Sequence, residues 1–566
     1  MNRKGSLYPI IALAALSLFL VACNGGKKPP STDIAASPEQ LDIKTKDIIR
    51  DFLEYAENNN GDIGDSVILT HLPLLQKVYE SGSFETSWSS KEEWKPLGDS
   101  MLGILANARL YGLFPEDYHF VQLDSINQRF IRDKWREKAR TDAALWAKAD
   151  LLLTDAFFKM VKDIKLGRLP KDSVTLRKDS VLTDSFYQQQ WQALQQSGSL
   201  SPVIASLEPR HPAYAALRSA VKNFLDSSAG REFTFVPSPG KDAASRDAYK
   251  KALQTRLYEE NFITQDSIPA DSVVLAEAVK KFQKRQGITA DGKAGEGTLR
   301  MLNLSQKDKF IRIAIAMDRY RQLPDSMPSR YIWVNLPSYS MRLWDKDTVK
   351  ILSKIICGKA ITRTPLLTSA ISEMITYPQW TIPTSIIVKE ILPGIKRDSA
   401  YLAKKGYSLI DKDGNEVDPA TVEWSKYSKG IPYKVVQGSG DDNALGILKF
   451  NFNNKYAVYL HDTNQRYLFS REIRSLSHGC VRVQEWEKLA YTILEYDNTD
   501  EKKLQAKEDS LKVWLSRKEK HSIGIRNRIP VYIRYISCEG KDGRVVFYDD
   551  IYGEDKLLRE RYFAGK

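Results

Sequence analysis

The chain is poor in several things at once. Its 566 residues include 4 cysteines and 6 histidines, with no Cys-x-x-Cys and no His-Glu-x-x-His spacing. That argues against the usual structural and catalytic zinc sites. Beyond Val21 no segment is long and apolar enough to span a bilayer. The formal charge is +13, yet no nucleic-acid motif accompanies it, so nucleic acid is not an expected partner. The charge suits another anionic polymer, or no more than a solvated lysine-rich surface.

What is present begins with Arg3 and Lys4 and an apolar run from Leu7 to Val21, the pattern of a secretory signal rather than a membrane span. The run ends Leu20-Val21-Ala22-Cys23, which resembles a bacterial lipoprotein cleavage site with Cys23 as the lipidated residue. Asn24 after it favours outer over inner membrane, facing the periplasm. If Cys23 is lipidated, Cys357, Cys480 and Cys538 remain, so at least one thiol is unpaired in an oxidising compartment, a flag for reactivity. Cys357 and Cys538 lie in strand-like surroundings and read as structural; whether they pair is left open.

The chemistry concentrates in Tyr459-Leu460-His461-Asp462 and Ser477-His478-Gly479-Cys480-Val481-Arg482-Val483. A thiol attacks as the thiolate, and its free pKa of ~8.5 leaves it mostly protonated at neutral pH; a nearby histidine or a helix N-terminus lowers that value. Residues 455–461 alternate, so a strand there puts Tyr459 and His461 on one face, roughly 7 Å apart. Trp486, Leu489, Ala490, Ile493 and Leu494 recur at helical spacing. This predicts Cys480 in a strand-to-helix connection whose free amides can receive an oxyanion. The plain alternative is a satisfied strand histidine and a buried thiol. It suits either residue alone better than it suits the constellation. His461, His478 and Cys480 could in principle hold zinc, but no matching carboxylate motif accompanies them, so neither metal nor cofactor is expected.

A histidine on a strand followed by Ser-His-Gly-Cys-x-Arg resembles the signature of the L,D-transpeptidase catalytic domain. The resemblance implies Cys480 as acylated nucleophile and His461 as general base. It also implies an oxyanion hole from the amides of Gly479 and Cys480 with the Tyr459 hydroxyl, and Ser477, His478 and Arg482 shaping the loop and substrate site. His478, two residues from Cys480 in a tight loop, is poorly placed for in-line proton transfer, so the base role falls to His461.

The rest of the chain extends the resemblance to the long forms of that family. Leu110-Tyr111-Gly112-Leu113-Phe114-Pro115-Glu116-Asp117-Tyr118-His119 resembles their scaffold domain. The phrase Ala278 to Ile288, with Asp291-Gly292 and Thr298 to Asn303, resembles a small three-helix peptidoglycan-binding domain with Phe282, Leu299 and Leu302 in its core. The expected fold is multidomain α+β: a helical scaffold, the three-helix domain, and a mainly-β catalytic domain with a helical lid. The expected boundaries are a signal peptide over 1–22, a polar tether over 23–45, the scaffold over 46–231, a linker over 232–245, the binding domain over 246–305 and the catalytic domain over 328–566. The lid falls at about 385–430, where Ile386 to Leu409 reads as helical with Lys389, Lys396, Arg397, Lys404 and Lys405 available for stem-peptide carboxylates. A hairpin is expected within Val531 to Tyr548, turning at Asp542-Gly543.

The function this implies is an exported, lipid-anchored peptidoglycan L,D-transpeptidase that forms 3→3 cross-links through a thioacyl enzyme. Its partners are stem peptides and glycan, and carbapenems are expected covalent inhibitors. The same chemistry serves an L,D-carboxypeptidase or a protein-to-wall ligase. A non-catalytic wall-binding lipoprotein is the reading from another class.

Overall fold

The computed structural model describes residues 28–132, 136–228, 231–265, 270–286 and 288–566; the expected signal peptide and Cys23 lie outside them. Internal contacts divide the chain into two units, one of residues up to 99 with 122–156 and one of 100–121 with 157–566. No helix among the described residues is long and apolar enough to cross a membrane.

The first unit corrects the expected tether. A helix begins at Pro38 and runs to Asn58, inside the 23–45 stretch. The Ser37 hydroxyl accepts from the Gln40 amide, Pro38 occupies the first turn, and Leu41, Thr45, Ile48, Ile49 and Phe52 form a buried stripe. Capping and periodicity outweigh the polar composition that suggested disorder. Deeper in this unit, the buried Asp150 carboxylate takes the Tyr79 hydroxyl at 2.6 Å and the amides of Ser87 and Trp88 at 3.0 Å each. The Trp88 indole donates to Thr154 at 2.8 Å. With every partner found, this polar cluster fixes the packing rather than opening it.

In the second unit, helices Ala243–Glu259, Ser272–Arg285 and Glu296–Leu302 enclose a core that includes Leu253, Leu257, Leu275, Phe282, Leu299 and Leu302. Gly292, at φ +77°, makes the Asp-Gly turn in a backbone region that glycine enters without strain. The expected linker is in part a strap: Val236 is buried and exchanges two 2.8 Å hydrogen bonds with the Asn303 side chain. The helical domain is tied to the neighbouring sheet domain by Arg300, which pairs bidentately with Asp549, and by Thr298, which donates to Glu472 at 2.8 Å.

That sheet has nine strands: β1 Arg330–Asn335, β2 Ser340–Asp345, β3 Thr348–Gly358, β4 Leu367–Thr376, β5 Leu448–Phe452, β6 Leu460–His461, β7 Ser475–Ser477, β8 Val481–Val483 and β9 Ser522–Arg534. Their order is β7-β3-β8-β6-β5-β4-β9-β1-β2, and β2 pairs back onto β3, so eight of them close into a barrel and lose their edges. Alternation fills the inside with Ile332, Val334, Leu343, Ile371, Phe450, Leu460, Val481 and Val531, all buried, and helix Trp486–Asp497 packs Leu489, Ile493 and Leu494 against them. The hairpin Cys538–Lys541 with Arg544–Phe547 turns through Asp542 and Gly543 at φ +50° and +70°, the twist-matched turn that Asp-Gly predicts. Cys357 and Cys538 are buried free thiols.

Between β4 and β5 the chain leaves the barrel. The insertion is helical over Thr384–Ile386, Leu392–Arg397 and Tyr401–Lys405, with a π-turn at Ile387–Ile391. It also carries a four-stranded sheet that the sequence reading lacked. Trp380–Thr381 pairs with Val436 and Gln437, so the excursion has a closed neck wider than 385–430. Ile382, Ile387, Leu402, Leu409 and Val435 give it a core of its own. Strands of two to four residues carry too few positions for a period-2 pattern to show.

Phe282 is 1% exposed at the centre of the three-helix core. Phe282→Ala is expected to remove about 3–5 kcal/mol locally. Native-state hydrogen exchange should show amides of Ser272–Arg285 losing protection while those of β9 keep theirs.

Candidate active site

The site is a consequence of register. In β6, Leu460 pairs with Phe450 of β5 and Val481 of β8, all inside the barrel, while His461 pairs with Lys449 and Arg482. Because side chains alternate, Lys449, His461 and Arg482 share the opposite face. One step back, the Tyr459 carbonyl receives the Val481 amide at 3.1 Å, which sets Tyr459 beside Cys480. Cys480 lies two residues before Arg482 and Tyr459 two before His461, so the same alternation turns all five side chains to one side.

The strand expected over 455–461 is only two residues long. Upstream, Asn454 ties a turn: its amide donates to the carbonyls of Phe452 and Val458 at 3.0 and 2.7 Å, and its carbonyl receives the amides of Tyr456 and Val458. Within this turn Ala457 sits at φ +54°, a left-handed conformation uncommon for alanine. Its carbonyl accepts the Cys480 thiol at 3.8 Å. The Tyr459 backbone amide and hydroxyl also donate to that sulfur. The rings of Tyr459 and His461 are 5.6 Å apart, and Lys449 Nζ stands 4.0 Å over the Tyr459 ring.

Cys480 does not open a helix. It connects β7 to β8, and the helix starts only at Trp486 without a side-chain cap, so no helix N-terminus acts on the thiol. The Ser477 hydroxyl closes this loop, donating to the Cys480 carbonyl at 2.6 Å and accepting the Gly479 amide at 3.1 Å. One of the two amides expected for an oxyanion hole is thus already engaged. Gly479 holds φ +122°, and its carbonyl accepts from Thr364 at 2.8 Å. His478 turns away from the sulfur, its Nε2 2.5 Å from Glu390 of the π-turn. The insertion makes a second approach through Trp380, which stands near the Tyr459 hydroxyl and opposes the rise that burial imposes on it. Arg482 reaches Thr463 and Gln465 at 3.3 Å each, while its buried Nε has no partner.

Burial, with Arg482 and then Lys449 nearby, lowers His461 to about 3, against the pull of the Leu445 and Asp462 backbone. His461 is 3% exposed and its Nδ1 has no hydrogen-bond partner. The ring is therefore neutral. Burial raises the Cys480 thiol, opposed first by the two Tyr459 donors and then by Lys449 and Arg482. Thiol and imidazole each rest neutral, the one raised and the other lowered by burial.

Sequence reasoning missed Lys449, Trp380, Glu390, Asn454 and Thr364. Lys449 was findable, since Leu448-Lys449-Phe450-Asn451-Phe452 alternates cleanly. The others act through loops and carry no periodic signal.

Residues 73–221 match the "Scaffold domain" model, 249–302 the "Putative peptidoglycan binding domain" and 329–502 the "L,D-transpeptidase catalytic domain". The chain thus carries these three domains in that order, the last being an L,D-transpeptidase catalytic domain. The barrel extends past the matched range, since β9 ends at Arg534. A curated protein of Haemophilus influenzae named "Putative L,D-transpeptidase" is 36% identical over 256 residues, 45% of this chain and 49% of that one. The chain therefore spans about half the length of this relative. A crystal structure of an L,D-transpeptidase from Stackebrandtia nassauensis is 19% identical, covers 46% of this chain and 90% of its own, and superposes with a TM-score of 0.19, too slight a likeness to carry an argument.

Two outcomes follow from the neutral pair and its support. Alkylation of Cys480 by iodoacetamide should stay slow through pH 6–8 and climb only beyond the ordinary thiol range of ~8.5; a plateau already present below pH 7 would reveal an ion pair instead. Gly358 lies under the loop that steadies Gly479, and a Cβ there would stand 2.1 Å from the Thr362 carbonyl oxygen and 2.7 Å from the Thr364 amide. Gly358→Ala should shift that loop and lower Cys480 acylation at least tenfold, read by intact mass, with far-UV circular dichroism unchanged.

Proposed function

We propose that the protein is a peptidoglycan L,D-transpeptidase of the cell envelope that cross-links stem peptides 3→3 through a cysteine thioacyl enzyme. The observation that carries this reading is the β5-β6-β8 register, which turns Cys480, His461 and Tyr459 to one face. The three domains in order supply the polymer: one binds peptidoglycan, the next acts on it.

As a donor tetrapeptide binds, the Cys480 proton passes to neutral His461 and Sγ bonds to the carbonyl carbon of the third residue. The oxyanion takes the Cys480 amide and the Tyr459 hydroxyl, since the Gly479 amide is held by Ser477. One well-placed donor of this kind contributes roughly 3 kcal/mol. The carbon–nitrogen bond to terminal D-alanine breaks, and the leaving amine takes the proton from imidazolium. An amine on the third residue of a neighbouring stem then attacks the thioester. Its proton returns through His461, and the thiol is restored. Burial, with Arg482 and then Lys449, keeps His461 unprotonated between steps. Cys23 anchors the protein through lipid, and a carbapenem acylates Cys480 in the donor's place.

Muropeptide mass spectrometry after incubation with disaccharide-tetrapeptide tests this. The native chain should give dimers with loss of D-alanine, and Cys480→Ala should give none. His461→Gln should lower the rate by about 10²–10⁴, and Tyr459→Phe by about 10²–10³. Tripeptide without dimer would move the reading to a carboxypeptidase.

A further inference from the structure

Away from Cys480, a cavity of about 640 Å³ opens where the three-helix domain meets helix Pro212–Ser228 and the Cys538–Phe547 hairpin. Its size is that of a small-ligand site. Its wall concentrates positive charge. Glu260 alone is shared by three cations: Arg256 at 2.7 Å, Lys309 at 3.5 Å, and Arg285 in close contact. The other acid nearby, Glu259, is occupied by the Thr234 amide and hydroxyl at 2.8 and 2.5 Å. Arg231 and Arg544 stand exposed at the rim, and Asp542 is the one further acid in the lining.

These cations are desolvated and under-compensated. Arg256 lies fully buried behind this wall, stacks 4.1 Å over Phe233 and donates to the Leu302 carbonyl at 3.0 and 2.7 Å. Arg285 stacks 4.1 Å over Phe262. Burial, then Arg256 and Arg285, lower Lys309 to about 7. Glu260, shared among three cations, offsets this only in part. On another wall the buried Gln306 Oε1 is an acceptor with no donor. The Lys309 ammonium and the Arg231, Arg285 and Arg544 guanidiniums on the lining, with the Phe233 and Phe262 rings among them, complement a carboxylate carried on a peptide.

We propose that this cavity is a non-catalytic binding site for an acidic peptide bearing a free carboxylate, which on the reading above is a peptidoglycan stem. It holds the polymer at the junction of the binding and catalytic domains, apart from the stem being processed at Cys480.

The test is calorimetric titration of the full chain carrying Cys480→Ala with purified disaccharide-tripeptide. Turnover is then absent, so a failure of the catalytic mechanism leaves the result intact. Binding should weaken at least tenfold in Arg231→Glu/Arg544→Glu, whose rim positions spare the core, and again in Lys309→Met. It should be tighter at pH 6 than at pH 8, because Lys309 gains its proton as pH falls through about 7; the charged groups around it are Glu259, Glu260, Asp542, Arg231, Arg256, Arg285 and Arg544. Affinity unchanged in both variants would overturn the site. An ordinary α-linked acidic peptide, or citrate, that competes equally well would overturn the stem assignment.

Discussion

The molecule's chemistry depends on two residues of extended chain. Strand β6 is only Leu460–His461, wedged between β5 and β8. A one-residue slip would exchange its faces, burying the imidazole among Phe450 and Val481 and pushing Leu460 into the site. What prevents the slip is the barrel core on one side and the Asn454-tied turn on the other. The first contributes apolar burial of Leu460, 0% exposed; the second contributes four hydrogen bonds from one side chain. Site and fold are the same interaction seen from two faces of the sheet.

From that register the electrostatics follow. Burial, with Arg482 and Lys449 paired on either side, keeps the His461 imidazole neutral, and burial keeps the thiol protonated. A protonated thiol resists oxidation better than a thiolate, which is the species that reacts. The insertion joins this arrangement at two points, Trp380 on Tyr459 and Glu390 on His478. Both contacts fall on the walls around Cys480 rather than on the sulfur itself, which suits a cover that selects what enters. The π-turn that presents Glu390 is a device found often at functional positions.

Much of this was legible in the chain. The helix from Trp486, the Phe282 core and the Asp542-Gly543 turn rest on local pattern and stand where the pattern put them, while His461 keeps its strand in a two-residue form and the Ser477-to-Arg482 segment joins two strands. Three readings fell short for a common reason. The helix from Pro38 was hidden by polar composition, although its Ser-Pro start and its Leu41-Ile48-Phe52 stripe were present. The insertion's sheet is made of strands too short to show alternation. The helix N-terminus expected at Cys480 was displaced by β8, whose three residues read equally well as a loop. Loop residues such as Asn454, Thr364 and Ser477 do their work through specific hydrogen bonds between segments distant in sequence, and no periodicity announces them.

The most direct test of the account is the protonation state of His461, read from the ring-nitrogen shifts of ¹⁵N-histidine in the resting protein between pH 5 and 8. The account predicts a neutral imidazole throughout, with the same shifts when Cys480 is replaced by alanine. An imidazolium at pH 7 that disappears in Cys480→Ala would show a thiolate–imidazolium pair and contradict it.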